Sequence, residues 1–217
     1  MAALRILLLL IVAVQTAFAA DAERFASEIA HFEASDKTKP PPRNAILFIG
    51  SSSIRKWTTL AQDFPTHQVI NRGFGGSEIS DSVHYFDRIV APYHPRLIVF
   101  YAGGNDINAG EWPERVFEDF KEFAGKVRSE LPDTRLDYIS IGISPSRWKD
   151  RTKVKEANRL IRDYIGQNKQ MEFIDVYPSM LGPDGKPKPD IYVADNLHMN
   201  ANGYAIWTSI VAPYLDK

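Results

Sequence analysis

The chain has 217 residues, 44% hydrophobic and 24% charged, with 26 basic against 27 acidic side chains. That length holds one globular domain with a full core. A net charge of −1 without a Lys/Arg block argues against nucleic acid or an anionic membrane surface as partner. With no cysteine, the chain lacks disulfides, thiolate nucleophiles, thiolate metal ligands and any cysteine-linked lipid.

Residues 1–19 read as a signal peptide. Arg5 and the amino terminus form a small positive region, and Ile6 to Val14 is an apolar run too short to span a bilayer. Ala17-Phe18-Ala19 supplies the small–x–small pattern that predicts cleavage before Ala20 and export to the periplasm or medium, with no stable membrane insertion afterwards. A buried amino-terminal helix or an uncleaved anchor is the competing reading. Residues 20–43 form a lead-in: a helix over Asp21 to Lys37, with Phe25, Ile29 and Phe32 three and four apart, closed by Lys39-Pro40-Pro41-Pro42-Arg43.

From residue 44 onward strand-like and helix-like segments alternate. Ala45 to Ile49 is a short apolar run closed by Gly50, as expected of a strand buried on both faces. Further strands are expected at Gln68 to Ile70, Arg96 to Tyr101, Leu136 to Ile141 and Phe173 to Val176, with helices near 79–91, 113–131, 151–167 and 200–213. This alternation predicts an α/β fold, a three-layer α/β/α sandwich around a five-stranded parallel sheet. Ligands in that architecture bind beyond the carboxyl ends of the strands, so the residues there are the ones to read closely.

Gly50-Ser51-Ser52-Ser53 follows the first strand. A serine at a strand-to-helix turn exposes its hydroxyl and points its amide at developing negative charge, although three serines also make an ordinary helix cap. Gly73-Phe74-Gly75-Gly76-Ser77 follows the second; its glycines admit close approach of backbone amides, and it fits neither phosphate-binding glycine pattern. A plain loop remains open there. Gly103-Gly104-Asn105-Asp106 follows the third, where the Asn105 amide serves either as an oxyanion donor or as an Asx-turn. Asp195-Asn196-Leu197-His198 precedes the last helix, and a carboxylate three residues before an imidazole can hold its tautomer. The other histidines carry no ligand spacing, so no metal site is expected. Taken together, a nucleophile, a base, an orienting carboxylate and oxyanion donors fall on one rim of one sheet, the parts acyl transfer requires.

These blocks resemble the SGNH/GDSL hydrolase family, whose Ser, Gly, Asn and His occur in this order. The resemblance covers residue 44 to the end and implies a flavodoxin-like SGNH hydrolase fold. It places the nucleophile at Ser52, oxyanion donors at Ser52, Gly76 and Asn105, and the acid–base pair at Asp195 and His198. It implies a carboxylic ester hydrolase that needs no cofactor and acts on a small-molecule or glycan ester, with acetyl esters favoured. A lysophospholipase or thioesterase is the alternative within that chemistry, and a non-catalytic carbohydrate-binding relative the alternative outside it. The family's common G-D-S carries Ser51 at the aspartate position here. Arg147 and Trp148, after the fourth strand, are candidates for lining the substrate site or equally for surface packing. The lack of G-x-S-x-G argues against an α/β-hydrolase elbow.

Overall fold

The computed structural model describes residues 23–217. The signal-peptide reading of 1–19, and the first two positions of the helix expected from Asp21, lie outside the described residues. In chain order the elements are α1 (Ala26–Thr38), β1 (Ile46–Gly50), α2 (Ser52–Arg55), α3 (Leu60–Asp63), β2 (Val69–Gly73), α4 (Ile79–His84), α5 (Phe86–Ile89), β3 (Leu97–Tyr101), α6 (Gly104–Ala109), α7 (Pro113–Glu130), β4 (Arg135–Ile139), α8 (Arg151–Ile165), β5 (Met171–Ile174) and α9 (Ala201–Leu215). The five strands form one sheet in the order β2-β1-β3-β4-β5, every pairing parallel. This is the expected α/β/α sandwich, with the flavodoxin-like strand order.

Alternation along β1 explains the three layers. Leu47 and Ile49 enter one core with residues of α1, α4, α5, α7 and α8, while Ile46 and Phe48 enter the other with residues of α2, α3 and α9. β1 leads to neighbours on both sides, and that reversal opens a crevice at its carboxyl end. The register there is level: Gly50 lies beside Gly73 of β2 and Tyr101 of β3, so the segments that follow all three strands start from one rim.

The structure adjusts four expected segments, the first being β2, which starts at Val69 and runs on past Ile70 to Gly73. The helix expected over 79–91 is two short helices and a turn, because the backbone leaves helical geometry at Tyr85 (φ −91°, ψ 7°) and again at Val90. β5 is Met171–Ile174 rather than 173–176, and β4 ends at Ile139. The ladder ends there because the hydroxyl of Ser140 accepts from the amides of Val176 (2.9 Å) and Tyr177 (3.2 Å), taking the place of a backbone partner.

The lead-in helix α1 is fastened to the flank of the sheet at several points, among them an ion pair between Glu28 and Arg55 at 2.9 Å. Ile29 is fully buried, and Phe25 meets Phe74 edge-on at 5.1 Å. Glu33 holds Arg88 through two hydrogen bonds, and Asp36 bonds both Arg72 and the Tyr93 hydroxyl. An open groove of about 910 Å³ runs between α1 and the α2–α3 segment, past His31 and Arg55. It contains none of the residues expected to carry chemistry. No described helix is long and apolar enough to cross a membrane.

Candidate active site

Ser52 opens α2 directly after the tight exit of β1. Gly50 makes that exit possible: its φ is +133°, and a β-carbon there would stand 1.8 Å from the Tyr101 carbonyl oxygen. Ser51 then donates its amide to that same carbonyl at 2.9 Å. On the other side, Tyr204 of α9 donates its hydroxyl to the Ser53 carbonyl at 2.9 Å.

His198 arrives from the loop between β5 and α9. Asn200 caps α9, its side-chain oxygen accepting from the Asn202 amide at 2.9 Å and the Gly203 amide at 3.2 Å. Its Nδ2 ties the loop down by donating to the carbonyls of Asp190 (2.8 Å) and Tyr192 (3.1 Å). Asp195 folds back over the imidazole. Its Oδ1 accepts from the amides of Leu197 (2.8 Å) and His198 (2.9 Å), and its Oδ2 lies 2.6 Å from His198 Nδ1. The imidazole bond, followed by the two amides, holds the Asp195 carboxyl well below the usual carboxylate range. An ionised carboxylate can only accept, so Nδ1 carries the proton in the neutral ring. Nε2 is left as an acceptor, and the Ser52 hydroxyl stands 3.0 Å from it.

Asn105 lies in the first turn of α6. Its Nδ2 donates to the Ser77 carbonyl at 2.8 Å, and its Oδ1 accepts from Arg147 Nη2 at 2.7 Å. The first of these bonds ties the Gly76-Ser77 loop to the carboxyl end of β3. Gly76 has φ +85° with nothing within 4 Å of where a β-carbon would sit. Among the described residues, no hydrogen bond engages the amide of Ser52 or of Gly76.

A cavity of about 40 Å³ opens beside Ser52 and His198, lined also by Asn105, Arg147, Tyr101 and Met180. Met180 is held by the Trp207 indole N–H, 3.4 Å from its sulfur. Gly142 leaves no room on that side, since a β-carbon there would come 2.9 Å from Met180 Sδ. Of the two residues singled out after the fourth strand, Arg147 lines this cavity. Trp148 does not; it packs against the α7–α8 side of the core, with Arg151 over its ring at 5.1 Å.

Several contributors carry no signal of their own in the sequence. Tyr101, Met180 and Tyr192 look like ordinary core residues, and only the fold turns them toward Ser52. Asp106, next to Asn105, is buried; its Oδ1 accepts from the Ile79 amide at 2.9 Å, while Oδ2 has no partner. Burial pushes its carboxyl up to about 7. Among the described residues there is no group of three or more His, Asp or Glu arranged to hold a metal ion.

Comparisons with known proteins bear on the fold and the family. The family model described as "GDSL-like Lipase/Acylhydrolase family" matches residues 49–206. No curated protein sequence matches the chain. Among solved structures, a Streptococcus pneumonia protein named for platelet activating factor superposes with a TM-score of 0.78 at 20% identity, over 95% of this chain and 98% of that one. A GDSL-like lipase from Bacteroides thetaiotaomicron gives 0.74 at 22% identity, over 91% and 98%. A carbohydrate esterase family 3 protein from Talaromyces cellulolyticus gives 0.64 at 15% identity, over 78% and 95%.

Proposed function

This chain belongs to the GDSL-like lipase/acylhydrolase family, and we propose that within it the protein is a serine esterase acting on short-acyl, above all acetyl, carboxylic esters. The observation that carries this reading is the unbroken relay from Ser52 Oγ to His198 Nε2 at 3.0 Å and from His198 Nδ1 to Asp195 at 2.6 Å.

In the proposed cycle, His198 Nε2 takes the Ser52 proton as Oγ bonds to the ester carbonyl carbon. The carbonyl electron pair moves onto oxygen, where the Ser52 and Gly76 amides and Asn105 Nδ2 meet it. Asp195 stays ionised and stabilises the imidazolium. Collapse of the intermediate expels the alcohol, protonated by His198, and leaves an acyl-serine. A water molecule then repeats the sequence and releases the acid. No cofactor enters any step.

The size of the cavity supports a short acyl group. A space of about 40 Å³, bordered by Met180 and Trp207, is on the scale of one small group rather than an extended chain. Sugar acetates reached after export are the natural esters we favour, in line with the carbohydrate-esterase neighbour. Hydrolysis of p-nitrophenyl esters from acetate to palmitate, wild type beside Ser52→Ala, tests the reading. Turnover concentrated on the short esters and lost in the variant supports it. A variant that keeps wild-type rates removes Ser52 as nucleophile, and a preference for long chains replaces the acetyl esterase with a lipase or lysophospholipase.

A further inference from the structure

Arg147 stands out because the proposed cycle leaves it without a role. It is half-buried in the cavity beside Ser52, yet among the described residues no carboxylate lies within ion-pairing distance of it. Burial lowers its pKa, with Tyr101, Asp150 and Asp106 opposing that, but a guanidinium stays charged throughout the working range. Its placement is rigid. The segment after β4 is anchored by Asn158, whose amide both accepts from the Ile141 amide (2.8 Å) and donates to the Ile141 carbonyl (2.9 Å). Ser146 donates its amide to the Asn196 carbonyl at 3.1 Å, which joins the Arg147 turn to the Asp195–His198 loop. Gly104 gives the guanidinium its space, since a β-carbon there would come 3.3 Å from Arg147 Nη1.

We infer that Arg147 is a positioning residue that acts through Asn105, forcing its amide into the one orientation that donates to the oxyanion and strengthening that donor with a fixed positive charge. The reasoning is a matter of donors and acceptors. The Ser77 carbonyl can only accept and the Arg147 guanidinium can only donate. A flipped Asn105 amide would set oxygen against oxygen at Ser77 and NH₂ against N–H at Arg147. The observed orientation satisfies both neighbours and leaves one Nδ2 hydrogen uncommitted for substrate. A cationic donor on Oδ1 also withdraws electron density from the amide, which makes that remaining N–H a stronger donor as negative charge develops nearby.

The inference rests on the esterase reading, and a double-mutant cycle with p-nitrophenyl acetate separates the two. Arg147→Gln should lower kcat roughly tenfold or more with KM within about threefold, since the loss falls on the transition state. In an Asn105→Ala background the same change should cost less than about twofold, because the group it acts through is gone. Added guanidinium ion should restore part of the kcat of Arg147→Ala. An unchanged thermal midpoint in Arg147→Gln keeps folding out of the comparison. Multiplicative losses in the cycle, or a rise in KM alone, overturn the inference while leaving the esterase standing. So does a loss confined to an ester bearing a carboxylate, such as 4-acetoxybenzoate, because the guanidinium would then bind substrate directly. A wild type inactive on every ester overturns both.

Discussion

Tyr204 and Ser53, 151 residues apart in the chain, are joined by a 2.9 Å hydrogen bond from the tyrosine hydroxyl to the serine carbonyl. The bond fastens the last helix to the turn that presents Ser52, and the Tyr204 ring packs on Trp57 at 5.4 Å. Tyr204→Phe keeps that packing and removes only the hydroxyl. We expect a loss of about 1 kcal/mol in unfolding free energy, read from urea denaturation, together with a drop in kcat larger than any change in KM.

Asn105 and Gly76 separate stability from turnover. Asn105→Ala should lower kcat by about 10²–10³ with little effect on KM, if its amide serves the oxyanion. Gly76→Ala meets no neighbour within 4 Å but must hold φ near +85°, a strain of about 1–2 kcal/mol. Its kcat should fall by more than that strain accounts for, because the relaxing backbone moves the amide. Gly50→Ala is the contrasting case: its β-carbon meets the Tyr101 carbonyl, so soluble expression itself should fail.

Asp106 makes stability depend on pH with a predictable sign. Its carboxyl is raised from an ordinary value of 3.8 to about 7, so the folded state holds a proton there that the unfolded chain releases. The stabilisation is complete below about pH 4 and is lost as the pH rises through 7. Asp137, raised to about 6 by burial against the opposing Arg135, adds a slope of the same sign. Thermal midpoints between pH 5 and 8 should therefore fall less in Asp106→Asn than in wild type. Asp195 acts in the opposite sense at lower pH, since its depressed pKa favours the fold above about pH 4 and that contribution fades on acidification.

Export is tested directly. Expression of the full chain in a bacterial host, followed by amino-terminal sequencing of the periplasmic product, should return a chain that starts at Ala20. A product that retains Met1 removes the signal-peptide reading.

Much of the fold could be read along the chain. β1 and β3 announce themselves as unbroken apolar runs because both faces of a central parallel strand are covered. α7 and α8 show because three or more turns give a periodic stripe. Of the short helices, α2 is expected from the strand-to-helix turn after Gly50, whereas α3 and α6, with four and six residues, are too short for a period to emerge and leave no signal. β5 starts two residues before its expected position: it is an edge strand with half-buried Glu172 and Phe173, so its pattern is weaker than that of the central strands.

Residue order points to the four blocks at the strand ends, because strand ends, glycine turns and i,i+3 spacing are local properties, and the family resemblance singles out Ser52 among three serines and Gly76 among the glycines of its loop. Residue order also settles that β1 leaves its strand through a glycine. Which of Arg147 and Trp148 faces the cavity is not local. Both sit on one irregular turn with no periodic face, and the choice follows from remote partners: Asn105 and Gly104 for the arginine, the α7–α8 core for the tryptophan. The 3.0 Å approach of His198 to Ser52 is of the same kind. It spans 146 residues and depends on the level ends of three strands and a capped final helix, a geometry that exists only once the sheet is assembled.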